Sequence, residues 1–169
     1  RSCFPITDVN IDKDIINNVL KAIENNQLEN YISEKGYPER PIRRFLDSLE
    51  SLGLITSNHV LTNFGEDVLK KDSKEKIAHK LFNNVDYIKD VLEILRKNPG
   101  IKNMDAVSLF RDIFGGSFAT AYQQFRRRMR WLRALNLIYR GDSTKGGYPY
   151  HLNEEGGKML DFFIEREKE

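Results

Sequence analysis

The chain has 169 residues, 40% of them hydrophobic and 31% charged, and 27 Lys+Arg against 25 Asp+Glu leave a net charge of +2. That length suits one compact domain or two small ones. No apolar run reaches the roughly 18 to 20 residues of a membrane span, and no secretory leader pattern is present; no membrane partner is expected, and the lone cysteine, Cys3, makes a reducing, intracellular setting in the cytoplasm the expectation.

From the N-terminus, Asp12 to Asn25 places Ile15, Ile16, Val19, Leu20 and Ile23 at helical spacing. A short helix follows over about Gln27 to Glu34 and ends near Gly36. A third starts near Pro41, a good first-turn residue, with Ile42, Phe45, Leu46, Leu49 and Leu52 as its apolar stripe and Gly53 as its stop. Leu54 to Ser57 and His59 to Thr62 read as a very short hairpin, and Thr62 or Asn63 can cap a helix through Lys71. Asp72 or Ser73 then starts a helical pattern to Asn84, which restarts near Asp86 and stops at Asn98-Pro99-Gly100. Asn103 to Phe114 is the next helix, Gly115-Gly116 a turn, and Ser117 the cap of an arginine-rich helix reaching Leu135. Strands at Leu137 to Arg140 and Tyr148 to Asn153 flank the loop GDSTKGG, and a last helix runs from about Glu154 to Arg166.

The chain repeats itself. LGLI at Leu52 to Ile55 matches LNLI at Leu135 to Ile138, and LTNFGEDVL at Leu61 to Leu69 matches LNEEGGKML at Leu152 to Leu160. Both copies read L-x-L-I, a spacer, then L-[TN]-x-x-G-x-x-x-L, and the spacer of the second copy is eight residues longer. Two copies of one supersecondary unit are therefore expected, over residues 1–72 and 73–169. Helix, glycine-containing turn, helix, L-x-L-I, a loop and L-[TN]-x-x-G-x-x-x-L resembles the winged-helix family, twice over nearly the whole chain. The closing motif is similar to what many prokaryotic winged-helix regulators carry after the wing. The tandem, joined by a helix, also resembles the DNA-recognition region of type IIS restriction enzymes. The resemblance implies a mainly α fold with small β-hairpins: two tandem winged-helix domains, the first with a short wing, the second with a recognition helix at 117–135 and a wing at 137–153.

Charge is unevenly placed. Residues 1–72 hold 9 Lys+Arg and 12 Asp+Glu, a balance of −3, whereas the remainder stands at +5. Residues 113–141 contain six arginines and no acid, the footprint of a nucleic-acid surface. On a helical wheel Phe118, Ala121, Tyr122, Phe125, Met129 and Leu132 form an apolar stripe. Opposite lie Thr120, Gln123, Gln124, Arg127, Arg130, Trp131 and Ala134, with Arg126 and Arg133 flanking the stripe on one side and Arg128 on the other. A solvated helix face would ordinarily carry acids at i, i+4 to its cations.

In a helix-turn-helix unit the helix after the turn enters the major groove and its N-terminal residues meet base edges. The expected DNA-binding residues are Ser117, Thr120, Gln123 and Gln124 at the front, where glutamine can bond adenine twice. Arg126, Arg127 and Arg130 would meet guanine or phosphate, and Arg140 and Lys145 would act from the wing. Arg43 and Arg44 of the third helix are weaker candidates, because Asp47 and Glu50 share that helix. Trp131 is expected to pack against the wing, and one of Tyr148 and Tyr150 on the core.

Catalytic signatures are not found. His59, His79 and His151 lack metal-ligand spacing, the lone Cys3 allows no internal disulfide or multi-cysteine zinc site, and no phosphate-binding glycine loop occurs. No cofactor, metal or catalysis is expected of this chain. It begins with Arg1 rather than Met, which reads as a piece of a longer protein. The expectation is a double-stranded DNA-binding module of a regulator or a restriction or defence enzyme. The alternative is a protein-interaction module, for which the acidic first copy is the suited surface.

Overall fold

A computed structural model of the protein describes residues 15–71 and 74–168. Cys3 and the expected helix starts at Asp12 and at Asp72 or Ser73 lie outside the described residues. Among the described residues the chain is mainly helical, with nine helices and one three-stranded antiparallel sheet. No helix among them is long and apolar enough to cross a membrane.

The chain divides into two compact units between Asn84 and Val85. The boundary read from the sequence, 72/73, is thereby moved, because the helix Lys74–Asn84 groups with the first unit. Three contacts hold it there. Lys76 is ion-paired with Asp67, the Lys80 ammonium lies 5.5 Å from the centre of the Phe64 ring, and the Asn84 amide donates to the Ser51 carbonyl at 3.4 Å.

The first unit contains α1 (Ile15–Glu24), α2 (Leu28–Lys35), α3 (Glu39–Ser51), α4 (Asn63–Lys71) and α5 (Lys74–Asn84). The stripes foreseen on α1 and α3 are buried, including Ile16, Val19 and Leu20 on one and Ile42, Phe45 and Leu49 on the other. α3 begins two residues before Pro41, which a first-turn proline permits because its missing N–H would have no partner there. The expected first hairpin contracts to a single bridge between Ile55 and Leu61, closed by Thr56 N–H donating to the Val60 carbonyl at 2.8 Å.

The second unit contains α6 (Ile88–Lys97), β1 (Ile101–Lys102), α7 (Asn103–Phe114), α8 (Phe118–Ala134), β2 (Ile138–Arg140), β3 (Pro149–Leu152) and α9 (Glu154–Glu167). α6 begins later than the sequence suggests because Tyr87 is left-handed, with φ +70°. The sheet order is β1-β3-β2; Ile138 faces Leu152, Tyr139 faces His151 and Arg140 faces Tyr150 across the hairpin, while Ile101 and Lys102 pair with Tyr150 and Pro149. β1 is a two-residue strand that the sequence pattern does not reveal. The core joins Val91, Leu92 and Leu95 of α6, Val107 and Phe110 of α7, Phe125 and Leu132 of α8, and Leu160 and Phe163 of α9.

The sequence repeat has one structural cause, present in both units. After α3 and α8 the chain turns through a left-handed residue, Gly53 (φ +77°) and Asn136 (φ +59°) respectively. The next N–H donates back into the helix, Leu54 to the Leu49 carbonyl at 2.9 Å and Leu137 to the Leu132 carbonyl at 3.0 Å. The carbonyls of these two leucines then accept from the cap residue of the closing helix, Thr62 N–H at 3.1 Å and Asn153 N–H at 3.2 Å. The same cap side chains donate to the carbonyls of the left-handed residues, each at 2.6 Å. They also accept from the helix glycines, Gly65 N–H at 3.0 Å and Gly156 N–H at 2.8 Å. Finally, a Cβ on either glycine would overlap the carbonyl oxygen of Leu54 or Leu137.

Gly156→Ala is therefore expected to lower stability by about 1–3 kcal/mol through forced separation of α9 from residue 137. Its neighbour Gly157 is helical with nothing within 4 Å of a built Cβ, so Gly157→Ala should raise stability by about 0.5–1 kcal/mol. Thermal unfolding followed by circular dichroism checks both, and equal effects from the two would refute the close approach as the reason for glycine.

Candidate nucleic-acid interface

The N-terminus of α8 is set by Ser117, whose Oγ accepts from Thr120 N–H at 3.1 Å and donates to Thr120 Oγ1 at 3.0 Å. α6, α7 and β2 all pack on α8. With neighbours on three sides, the buried arc is wider than an apolar stripe predicts. Gln124, Arg128, Trp131 and Ala134 are buried along with Ala121, Phe125, Met129 and Leu132. Four placements on the wheel are thereby corrected: Trp131 and Ala134, expected opposite the stripe, are each 1% exposed. Gln124, expected at the open front, is 5% exposed, and Arg128, expected beside the stripe, is fully buried.

Arg128 occupies its site with several partners. Its Nε donates to the Asp86 carbonyl at 2.9 Å. One terminal nitrogen donates to the Gln124 carbonyl at 2.9 Å and to Gln124 Oε1 at 2.8 Å. Its guanidinium carbon lies 5.8 Å from the centres of both the Phe110 and Phe114 rings, within cation–π range. Arg128 thus ties α8 to the start of α6 and is not a surface contact.

What stays open on α8 is one face. Ala119, Thr120, Gln123 and Arg126 are exposed, and Arg127, Arg130 and Arg133 are half-buried. At 3.6 residues per turn these seven fall within an arc of about 140°. The face holds four arginines, and α8 contains no carboxylate. Ala119, Thr120, Gln123, Gln124 and Arg127 line a shallow cavity of about 220 Å³ at its N-terminal end.

The hairpin continues this surface. The Arg140 guanidinium lies 4.1 Å from the centre of the Tyr148 ring, so Tyr148 is held by an arginine at the edge rather than by the core. Burial, and then repulsion from Arg140, push the Arg133 guanidinium below its ordinary value, with Tyr150 and Tyr148 opposing the shift. The C-terminal end of the helix face and the root of the hairpin therefore share one electrostatic field. At the tip, Lys145 is exposed and its carbonyl accepts from the Lys102 ammonium. Neither Arg133 nor Lys102 is among the site residues expected from the sequence. Arg133 was legible from its place on the wheel; Lys102 was not, since only the pairing of β1 with β3 brings it to the hairpin. Tyr139 stacks on His151 at 5.0 Å across the hairpin.

In the first unit, Arg43 is ion-paired with Glu39 at 2.5 Å and Arg44 is half-buried. Asp47 and Glu50 are exposed on the same helix. The structure therefore gives α3 a mixed-charge surface and α8 a cationic one.

Because Ser117 closes the first turn of α8, Ser117→Ala should cost about 1 kcal/mol in thermal unfolding, whereas Ser117→Asp should leave the melting temperature unchanged, aspartate being an equivalent cap. Searches with this chain match no family model, no curated protein and no solved structure.

Proposed function

We propose that the chain is a double-stranded DNA-binding module built from two winged helices, in which α8 enters the major groove and the β2–β3 hairpin acts as the wing. The element order of the second unit, helix, strand, two helices, two strands and a closing helix, supports this reading. So does the clamp formed by the left-handed residue, the cap side chain and the helix glycine, which recurs at the root of the hairpin in both copies. The observation that carries the proposal is the open face of α8, with Arg126, Arg127, Arg130 and Arg133 beside Thr120 and Gln123 and no carboxylate on the helix. Arginine's planar fork matches both phosphate and guanine geometry. The 17 residues of α8 give a rod about 25 Å long, of the calibre that the major groove admits.

The first unit supports a different use. Its α3 carries the Arg43–Glu39 pair with Asp47 and Glu50, and exposed acids would be repelled by a phosphate backbone. A protein partner, or the remainder of a regulator or restriction enzyme, suits that surface better.

Fluorescence anisotropy with a labelled duplex across a salt series tests the reading. The affinity should fall steeply with salt, by roughly 0.9 logarithmic units of slope per phosphate contact. The triple replacement of Arg126, Arg127 and Arg130 by alanine should flatten that slope by about 2 to 3. Ser117→Asp should weaken binding without unfolding the protein. Absence of duplex binding at low salt would reject DNA as the ligand and leave the protein-interaction reading.

A further inference from the structure

Two residues behind the open face of α8 are buried without a packing reason for their polarity. The repeat supplies an internal control. Leu52 and Leu135 are equivalent residues, each the C-cap of its helix. Counting back along the two continuous helices, Arg128 occupies the position of Phe45, and Gln124 that of Pro41. Both Phe45 and Arg128 are fully buried. An apolar side chain therefore satisfies this position of the unit, and the guanidinium is not demanded by packing. Burying it costs free energy that hydrogen bonds must offset.

What Arg128 does and Phe45 cannot is orient an amide. A guanidinium only donates. The atom of Gln124 that meets it at 2.8 Å is therefore the carbonyl oxygen Oε1, and the amino group is turned the other way. The backbone carbonyl of Gln124 is also taken by Arg128. Gln124 lines the cavity shared with Thr120, Gln123 and Arg127, where the amino group is the polar atom it has left to offer. An unfixed glutamine offers adenine a donor and an acceptor together, for N7 and N6. A glutamine fixed in this way offers a donor alone. Arg127, on the same cavity, also only donates.

We propose that Arg128 is a positioning residue that locks Gln124 as a hydrogen-bond donor, so that the α8 cavity selects guanine, with its two acceptors O6 and N7, over adenine. The proposal rests on the reading that α8 faces duplex DNA, and it reverses the adenine preference expected of a freely turning glutamine.

Selection from a random duplex library tests it, using the unaltered chain, Gln124→Glu and Arg128→Met. The unaltered chain should favour guanine over adenine at one position by about 5- to 150-fold. Gln124→Glu keeps an oxygen for Arg128 and so preserves the internal contact, but it replaces the donor by a carboxylate oxygen. At that position it should exchange guanine for cytosine, whose N4 amino group donates. Arg128→Met should fold, as the Phe45 copy does, and keep its salt dependence while the guanine preference collapses toward unity. Adenine at the position altered by Gln124→Glu, or an unchanged preference in a folded Arg128→Met, would overturn the locking of Gln124 and leave DNA binding intact. If Arg128→Met does not fold, the Gln124→Glu exchange decides alone, and its absence overturns the proposal. Failure of the unaltered chain to bind any duplex at low salt would reject the DNA reading and this proposal together.

Discussion

The close approach of a helix glycine to a leucine carbonyl governs both units. At Gly65 and Gly156 there is no room for a Cβ against the Leu54 and Leu137 carbonyls. Around that contact, the four backbone and side-chain hydrogen bonds described above recur with nearly the same lengths in the two copies. The left-handed residue, the returning strand and the closing helix are held as one piece. Because carbonyls and N–H groups inside the clamp are satisfied locally, the segment between its arms can differ in length without disturbing the root.

That tolerance explains how the same clamp carries two different surfaces. In the first unit the arms Ile55 and Leu61 are joined by a loop too short for a ladder, and one bridge results. In the second, eight more residues extend β2 and β3 from the pair Ile138 and Leu152, and β3 gains a second partner in β1. The hairpin then carries Arg140, Tyr148 and Lys145 outward without disturbing the clamp at its root. Much of the difference in surface between the two copies thus lies in the loop and on the open helix face.

Much of this was legible in the sequence, because the clamp needs particular residues at fixed spacing. L-x-L-I and L-[TN]-x-x-G encode a left-handed turn, a capping side chain and a glycine, and each is used as its chemistry suggests. α7 falls on the expected residues, and α8 is capped by Ser117 as expected. What was illegible depended on tertiary neighbours. A wheel assumes one buried side, but α8 is covered by α6, α7 and β2, so polar Gln124 and Arg128 go inside. β1 has two residues and no periodicity. The grouping of α5 with the first unit rests on Lys76, Lys80 and Asn84 meeting partners far along the chain, which no local pattern records.

The charges of the second unit are allocated unequally, and the inequality is informative. Away from α8, several cations meet carboxylates: Lys89 with Glu93 at 3.7 Å and Glu167 at 2.6 Å, Arg96 with Asp161 at 2.5 Å, Lys158 with Glu154 at 3.5 Å. Such exposed pairs each contribute little to stability, about 0–1 kcal/mol, but they keep the local field near neutral. On α8 the same chain places arginines and no acid, and brings Arg133 close enough to Arg140 to feel its charge. Nothing in the packing of the clamp or the core requires this concentration of arginines. Under the proposed reading, the phosphates of the duplex supply the negative charge that α8 itself lacks, and the field of its arginines attracts that partner.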